Sequence, residues 1–274
     1  MKFSVCMCVY GGDNAENFDT AVQSVIQQTL PPSEIILVVD GPVPQGLDSI
    51  IKKYEQNALF GVIRLEINQG LGNARRIGLA HTSNDYVALM DADDISCEDR
   101  FAQQIAYAKQ HPDVDIIGGN IEEFDAESKD IIGYRKVPEH DAEIKKYAKY
   151  RCPFNHMTVL LKKSKIDEVG GYIDWYFDED YYLWIRMILN QSKFYNIPSV
   201  LVRVRGGADM YQRRGGWKYF LSEARLQQYM WKKGFIRFTT CAYNIVIRFI
   251  LQVLLPNRVR GLIFQKIARS GEGT

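Results

Sequence analysis

The sequence has no hydrophobic run long enough to form a membrane-spanning helix. Such a helix needs about 18 or more apolar residues without charge. The nearest candidate, Cys241 to Leu255, is shorter than this and is interrupted by Arg248. The chain also begins directly with a strand pattern at residues 2–9, which is unlike a secretory signal. We therefore expect a cytosolic protein, and attachment to a membrane surface stays open.

The sequence also has no even set of cysteines that would indicate disulfide pairs, and it has almost no net charge. The chain has five cysteines, an odd number without metal-like spacing: Cys6, Cys8, Cys97, Cys152 and Cys241. They indicate reduced thiols in a reducing compartment. The 34 basic and 33 acidic residues leave a net charge of +1, which gives no reason to expect a nucleic-acid partner. The charge is uneven, however, because the acids after Arg203 are only Asp209, Glu223 and Glu272.

The first third of the chain alternates short apolar runs with helical patterns. Four apolar runs predict buried strands: 3–10, 34–39, 62–67 and 86–90. The three segments between them have helical spacing: 18–26, 47–54 and 74–80. This order predicts a parallel sheet with right-handed crossovers. Such a sheet brings the residues at four strand ends to one edge, where open α/β sheets bind ligands: Tyr10, Asp40, Asn68 and Asp91.

The rest of the chain is less regular. It contains two further helical patterns and three further strand patterns: 100–109 and 142–148, then 115–119, 156–161 and 195–204. Much of 121–150 is charged and predicts irregular chain. Gly170-Gly171 fits a sharp turn with positive φ, and residues 177–180 open a helix with an apolar stripe that includes Trp184.

Three carboxylates occupy four positions in Asp91-Ala92-Asp93-Asp94, directly after a predicted strand. They would repel one another without a cation, and a divalent metal shared with a phosphate is the usual partner. The alternative is an acidic turn that caps the next helix, with Asp94 or Ser96 as N-cap. The local sequence does not distinguish the two. The other polar strand ends favour a metal site, and Asp94 is then expected to cap the helix.

Six segments resemble the motifs of family 2 glycosyltransferases: Ser4–Tyr10, Val39-Asp40-Gly41, Asn68–Arg75, Asp91–Asp94, Gly170-Gly171-Tyr172 and Glu179-Asp180-Tyr181. The resemblance covers roughly residues 3–205, and the wider sequence is similar to transferases of amylovoran and capsule assembly. It implies an α/β GT-A fold with a mostly parallel central sheet flanked by helices. The implied domains are a catalytic domain at 1–215 and a basic helical extension at 216–274. Within the former, 1–95 would bind the nucleotide and 96–215 the acceptor.

The resemblance implies inverting sugar transfer from a nucleotide donor, usually UDP-linked, to a lipid-linked saccharide. It assigns nucleotide binding to eight residues: Val9, Tyr10, Asp40, Asn68, Gly70, Arg75, Asp91 and Ala92. Asp93 and Asp91 would hold Mn²⁺ or Mg²⁺. Asp180 would be the general base with Glu179 beside it, although locally both could simply cap a helix.

Two segments depart from the family pattern, and both lie near the expected nucleotide base. Gly11-Gly12-Asp13-Asn14 follows Tyr10, and Gly41-Pro42 follows Asp40. Both differences therefore concern the identity of the nucleotide rather than the reaction type. The Gln-x-x-Arg-Trp element of processive synthases is missing, which favours single additions.

Four further residues are candidates for contact with the diphosphate or acceptor: His156, Arg205, Arg213 and Arg214. A lone histidine beside a strand is more often structural, and the arginines could form a clamp on phosphates or a solvated loop.

The aromatic and basic segments of the extension suit a membrane interface, a packed helix face or a dimer contact, and oligomeric state stays open. Two other functions also remain open at this stage. A sugar-1-phosphate nucleotidyltransferase would need an Arg and a Lys after Gly11-Gly12, which are absent. A non-catalytic sugar-nucleotide-binding or membrane-scaffold protein is the other.

Overall fold

The computed structural model describes residues 1–206 and 215–255, and a sheet runs through the first of these ranges. The described residues form nine strands: β1 (Ser4–Tyr10), β2 (Glu34–Asp40), β3 (Phe60–Arg64), β4 (Tyr86–Met90), β5 (Ile95–Ser96), β6 (Ile116–Asp125), β7 (Ile131–Arg135), β8 (Leu160–Lys162) and β9 (Phe194–Gly206). They also form nine α-helices: α1 (Ala15–Ile26), α2 (Gln45–Glu55), α3 (Leu71–His81), α4 (Arg100–Gln110), α5 (Asp141–Tyr147), α6 (Lys163–Glu168), α7 (Glu179–Leu189), α8 (Trp217–Lys232) and α9 (Phe238–Phe249). A 3₁₀ turn at His156–Thr158 and a π-helical turn at Ile250–Leu254 complete them.

The sheet has two halves of different character. Its strand order is β3-β2-β1-β4-β8-β6-β9-β5, and β7 pairs with β6 beside this path. The first four strands in sequence are parallel, as predicted, and Tyr10 lies opposite Asp40 where β1 and β2 end. In the second half β8 is antiparallel to both β4 and β6, whereas β6 and β9 are parallel. The parallel half therefore brings its strand ends to a common edge.

Apolar side chains from both faces of β1 explain why its sequence is continuous rather than alternating. Val5, Met7 and Val9 pack in one buried cluster with α1, α2 and α4. Cys6 belongs to a second cluster on the other face, which contains Trp184 and four residues of the extension: Leu226, Met230, Ile236 and Cys241. The extension thus shares a core with α7. All five cysteines are free thiols.

Three predicted elements differ from the structure. β3 ends at Arg64 rather than 67, because β2 turns away at Gly41 and leaves no ladder partner beyond it. The predicted strand at 156–161 begins as a 3₁₀ turn, since Thr158 bonds back to Asn155 through both its backbone N–H and its hydroxyl. Residues 121–135 form a hairpin of β6 and β7 instead of irregular chain.

The described ranges contain no helix that is both long and apolar enough to cross a membrane.

Candidate active site

Asp40 organises the loop that precedes α3. Its carboxylate is buried and accepts hydrogen bonds from the backbone N–H groups of Gln69 (2.7 Å) and Gly70 (3.0 Å). The Asn68 side chain donates to the Asp40 carbonyl at 3.2 Å. Gly70 has φ of 83°, a conformation that favours glycine, and α3 begins directly after it. The expected nucleotide residues 40, 68 and 70 are therefore one hydrogen-bonded unit.

Tyr10 has an exposed aromatic ring at the edge of the sheet where β1 and β2 end. It lies over Gly12, where an added Cβ would come within 2.6 Å of the ring. Val9 and Ala92, also expected to touch the nucleotide, have buried side chains, so only their backbone is available to a ligand. The open aromatic face of Tyr10 suits stacking on a base.

Arg75 joins the two acidic motifs that lie far apart in sequence. Its side chain is buried, and its guanidinium lies 2.7 Å from a carboxylate oxygen of Asp91 and 3.8 Å from one of Glu179. Burial works against the charged form, but Asp91, Tyr172 and Glu179 more than offset it and hold the pKa of Arg75 above its ordinary value. Arg75 is therefore a fixed positive charge between Asp91 and Glu179, a position that the sequence did not indicate.

Asp94 does not cap a helix, contrary to expectation. α4 begins at Arg100, and the two residues directly after Asp94 form the short strand β5. Asp94 is buried and accepts a hydrogen bond from the backbone N–H of Arg205 at 3.0 Å, while the Arg205 side chain donates to the Asp93 carbonyl at 3.1 Å. Burial, and then the charges of Asp93 and Asp91, raise the pKa of Asp94. Its role is to tie the acidic turn to the end of β9.

A fourth acid, Asp13, faces the same turn and was not singled out from the sequence. Its carboxylate accepts a hydrogen bond from the Tyr10 backbone N–H at 2.9 Å. Burial, and then the charges of Asp93 and Asp91, raise the pKa of Asp13 to about 6. The signal was its place just after β1, in a segment that departs from the family pattern. The site is thus strongly anionic near Asp93.

The described residues contain no group of three His, Cys, Asp or Glu side chains arranged to hold a metal ion. They do place the carboxylates of Asp91 and Asp93 at a strand end with excess negative charge. Mg²⁺ and similar cations are commonly held by one or two carboxylates together with substrate phosphates, rather than by an all-protein cage. The donor set fits a metal of that kind.

Glu179 and Asp180 begin α7, where the helix dipole favours negative charge. Burial, followed by the adjacent charge of Asp180, raises the pKa of Glu179 to about 7 although Arg75 opposes the shift. Asp180 accepts a hydrogen bond from the Tyr181 N–H at 2.6 Å, and the Cys152 thiol lies 3.7 Å from its other oxygen. The two acids therefore have different environments, as acid–base pairs in active sites do.

His156 lies in the core behind Arg75. Its Nε2 is 2.6 Å from the Tyr172 hydroxyl, which belongs to the Gly170-Gly171-Tyr172 motif. Burial and then the charge of Arg75 lower the pKa of His156 well below its usual value. A neutral, buried histidine of this kind supports its neighbours rather than attracting a phosphate. Gly170 and Gly171 have positive φ, as predicted, and the candidates Arg213 and Arg214 lie outside the described residues.

Comparison with known proteins gives a consistent result. Residues 4–170 match the model of "Glycosyl transferase family 2". The amylovoran biosynthesis glycosyltransferase AmsE of Erwinia amylovora is 36% identical, over 96% of this chain and 98% of its own. The UDP-Gal:alpha-D-GlcNAc-diphosphoundecaprenol beta-1,3-galactosyltransferase of Escherichia coli is 37% identical, over 98% and 97%.

Among solved structures, the mannosyltransferase PcManGT of Pyrobaculum calidifontis, in complex with GDP-Man and Mn²⁺, superposes with a TM-score of 0.64. It covers 98% of this chain and 76% of its own at 13% identity, so the likeness concerns the fold. The expected GT-A fold is confirmed. The chain belongs to glycosyl transferase family 2 and is a glycosyltransferase.

Proposed function

We propose that this protein transfers one sugar from a UDP-linked donor to a hydroxyl of a lipid-linked saccharide, with inversion, during surface polysaccharide synthesis. The observation that carries the proposal is the position of Arg75. It lies between Asp91, at the end of β4, and Glu179, at the start of α7, so the strand-end acids and the Glu-Asp pair line one site. The two relatives named above support the choice of donor and acceptor. Membership of the glycosyltransferase family excludes the nucleotidyltransferase alternative.

The donor nucleotide lies along the edge formed by β1, β2 and the loop before α3. Tyr10 stacks on the base, and the unit of Asp40, Asn68 and Gly70 supplies polar contacts beside it. Asp40 already accepts two backbone N–H groups, but a carboxylate has room for about four hydrogen bonds in all. It can therefore hold its loop and accept from the base at once.

Asp93, with Asp91, would hold Mn²⁺ or Mg²⁺ next to the donor diphosphate. Both cations prefer carboxylate and phosphate oxygens, so the ligands do not choose between them. Such a metal neutralises the charge that develops on the leaving diphosphate. Arg75 holds the Asp91 carboxylate in place at 2.7 Å.

Asp180 is the proposed general base. The acceptor O–H gives its proton to this carboxylate while the oxygen bonds to the anomeric carbon, and the bond from that carbon to the diphosphate oxygen breaks. Asp180 is the second residue of α7, where the helix dipole favours the ionised carboxylate before the reaction. Glu179 lies on the Arg75 side of the pair and orients the acceptor.

The test is Asp180→Asn, which keeps the shape and removes the base. General acid–base catalysis is worth about 10²–10⁴-fold, so transfer should fall by at least that lower figure while UDP-sugar affinity stays nearly unchanged. The matched control is Asp174→Asn, a nearby exposed acid in the loop before α7. Turnover of Asp180→Asn close to that of the control would refute the assignment.

The chain divides, in this proposal, into the catalytic domain at 1–215 and the extension at 216–274. The extension carries the protein to the cytoplasmic face of the membrane that contains the lipid-linked acceptor. Its excess of basic residues suits anionic lipid surfaces.

A further inference from the structure

Helix α9 and the turn after it direct three polar side chains toward the protein. Asn244, Arg248 and Gln252 follow one another at four-residue spacing and face the protein. Asn244 donates to the Gln227 side chain at 2.7 Å, and Arg248 forms an ion pair with Glu223 at 3.0 Å. A helix on the surface of a water-soluble protein normally has the opposite arrangement, with polar residues outward.

The outward face of α9 and of the turn after it is mostly apolar, with Thr239 as an exposed polar residue near its start. Five large side chains are exposed there by 39–62%: Phe238, Tyr243, Val246, Ile250 and Leu254. Trp231, also exposed, packs against Phe238 with ring centroids 5.3 Å apart. A contiguous apolar surface of this kind, bearing Trp and Tyr, indicates an apolar environment outside the helix.

A basic cavity lies at the turn that leads into α9. It has a volume of about 440 Å³ and is lined by four lysines and by apolar groups: Lys145, Lys146, Lys149, Lys233, Ile188, Leu189 and Phe235. Lys145 pairs with Asp141 at 2.7 Å. Within residues 1–206 and 215–255, no carboxylate lies within ion-pair distance of the other three lysines. The cavity therefore has uncompensated positive charge beside apolar side chains.

We propose that α9 lies in the surface of an anionic bilayer, with its apolar face among the acyl chains, and that the lysine cavity takes the phosphate of an anionic lipid headgroup. The cavity and the Trp231–Phe238 pair share one turn, so charge and apolar surface occur together. A second copy of this chain fits less well, because its lysines and Arg237 would repel their own kind. The inference rests on the proposed function, since it specifies how the enzyme reaches a lipid-linked acceptor.

The first test measures binding to vesicles of phosphatidylcholine with and without phosphatidylglycerol, by flotation of the full chain. Wild type should bind the mixed vesicles more tightly. Val246→Glu places a charge in the apolar face and should reduce binding to both kinds at least tenfold. The matched control is Ile131→Glu, a similarly exposed residue on β7, which should bind like wild type. Equal binding of both variants would overturn the proposal.

The second test separates the cavity from general surface charge. Lys146→Gln with Lys233→Gln should weaken binding to phosphatidylglycerol vesicles about thirtyfold, since each lysine near an anionic surface is worth ~1 kcal/mol. The control pair, Lys2→Gln with Lys109→Gln, removes the same charge from exposed sites elsewhere and should have little effect. Equal losses for the two pairs would overturn the headgroup site.

Two further readouts keep this inference distinct from the proposed function. Transfer of sugar to a short water-soluble acceptor should be the same in Val246→Glu as in wild type. If wild type itself transfers no sugar, the proposed function is refuted, and the vesicle-binding result still decides the membrane proposal. Sedimentation velocity of wild type and Val246→Glu tests the second copy. A wild-type dimer that the variant breaks, with no vesicle binding, would assign the face to self-association and overturn the membrane proposal.

Discussion

Replacing Arg75 by methionine is the sharpest test of how the site is assembled. Methionine keeps the helix and much of the volume but removes the charge between Asp91 and Glu179. Removing one member of a buried ion pair costs about 3–5 kcal/mol because the partner charge stays buried. The Asp91 and Glu179 side chains are 28% and 14% exposed, so water offsets part of this cost. We expect a loss of about 3 kcal/mol in the free energy of unfolding.

The loss should depend on pH in a direction that the structure specifies. Arg75 lowers the pKa of Glu179, which is nevertheless about 7. Without the guanidinium that pKa rises further, so the folded variant binds a proton more tightly than wild type. Stability then falls more steeply with rising pH in Arg75→Met. The difference between variant and wild type should be larger at pH 8 than at pH 6.

The assay is equilibrium urea unfolding in metal-free buffer. Arg76→Met is the matched control, because Arg76 is the next residue of α3 and is exposed. A double-mutant cycle with Asp91→Asn should give a coupling energy of about 1 kcal/mol or more, as contacting charges do. A cost for Arg75→Met no larger than that for Arg76→Met, or additive effects in the cycle, would refute the reasoning.

Three further predictions concern the acids. Glu179→Gln should flatten the pH dependence of stability. In wild type the Glu179 pKa is raised from 4.5 to about 7, so its contribution to the free energy of unfolding, about 3 kcal/mol at ~1.4 kcal/mol per pH unit, is present below pH 4.5 and lost as the pH rises through 7. Parallel urea-unfolding profiles of variant and wild type across this pH range would contradict this. Asp93→Asn should weaken Mn²⁺ binding in the presence of UDP at least tenfold by calorimetry, with the melting temperature unchanged; unaltered affinity would remove Asp93 as ligand. Asp94→Ala should lower the free energy of unfolding by about 1–3 kcal/mol because it leaves the Arg205 N–H without an acceptor. Asp94→Asn keeps an acceptor and should be nearly neutral in thermal unfolding. Equal losses for the two variants would exclude the hydrogen bond as the cause.

The parallel half of the fold could be predicted because each of its strands is apolar on both faces and ends in a polar residue. Periodicity alone placed Tyr10, Asp40, Asn68 and Asp91 at one edge, and the structure brings them there. The apolar stripe that includes Trp184 likewise located Glu179 and its neighbour at the start of α7. These features depend on the local apolar pattern and on the direction of the chain, and both can be determined from the sequence alone.

Features that depend on long-range contacts could not be predicted. Asp94 was expected to cap a helix because its nearest apparent partners were local, yet it bonds Arg205, more than a hundred residues away. The hairpin of β6 and β7 was missed because Glu122 and buried Glu123 interrupt the apolar pattern of β6 beyond the predicted strand at 115–119. The pairing of Arg75 with Glu179 is of the same kind, since only the packing of α3 on α7 creates it.

The polar inner face of α9 and its apolar outer face are two sides of one arrangement. Arg248 donates to the Tyr150 carbonyl at 2.8 Å and pairs with Glu223, while Ser222 donates to the Tyr176 carbonyl in the loop before α7. An apolar inner face could slide or rotate against the catalytic domain. Buried ion pairs and hydrogen bonds instead allow α9 only one position on the domain, as buried polar groups do in some other proteins. The direction in which α9 presents Val246 is therefore set by contacts with α8, the helix that also holds the loop leading to Asp180.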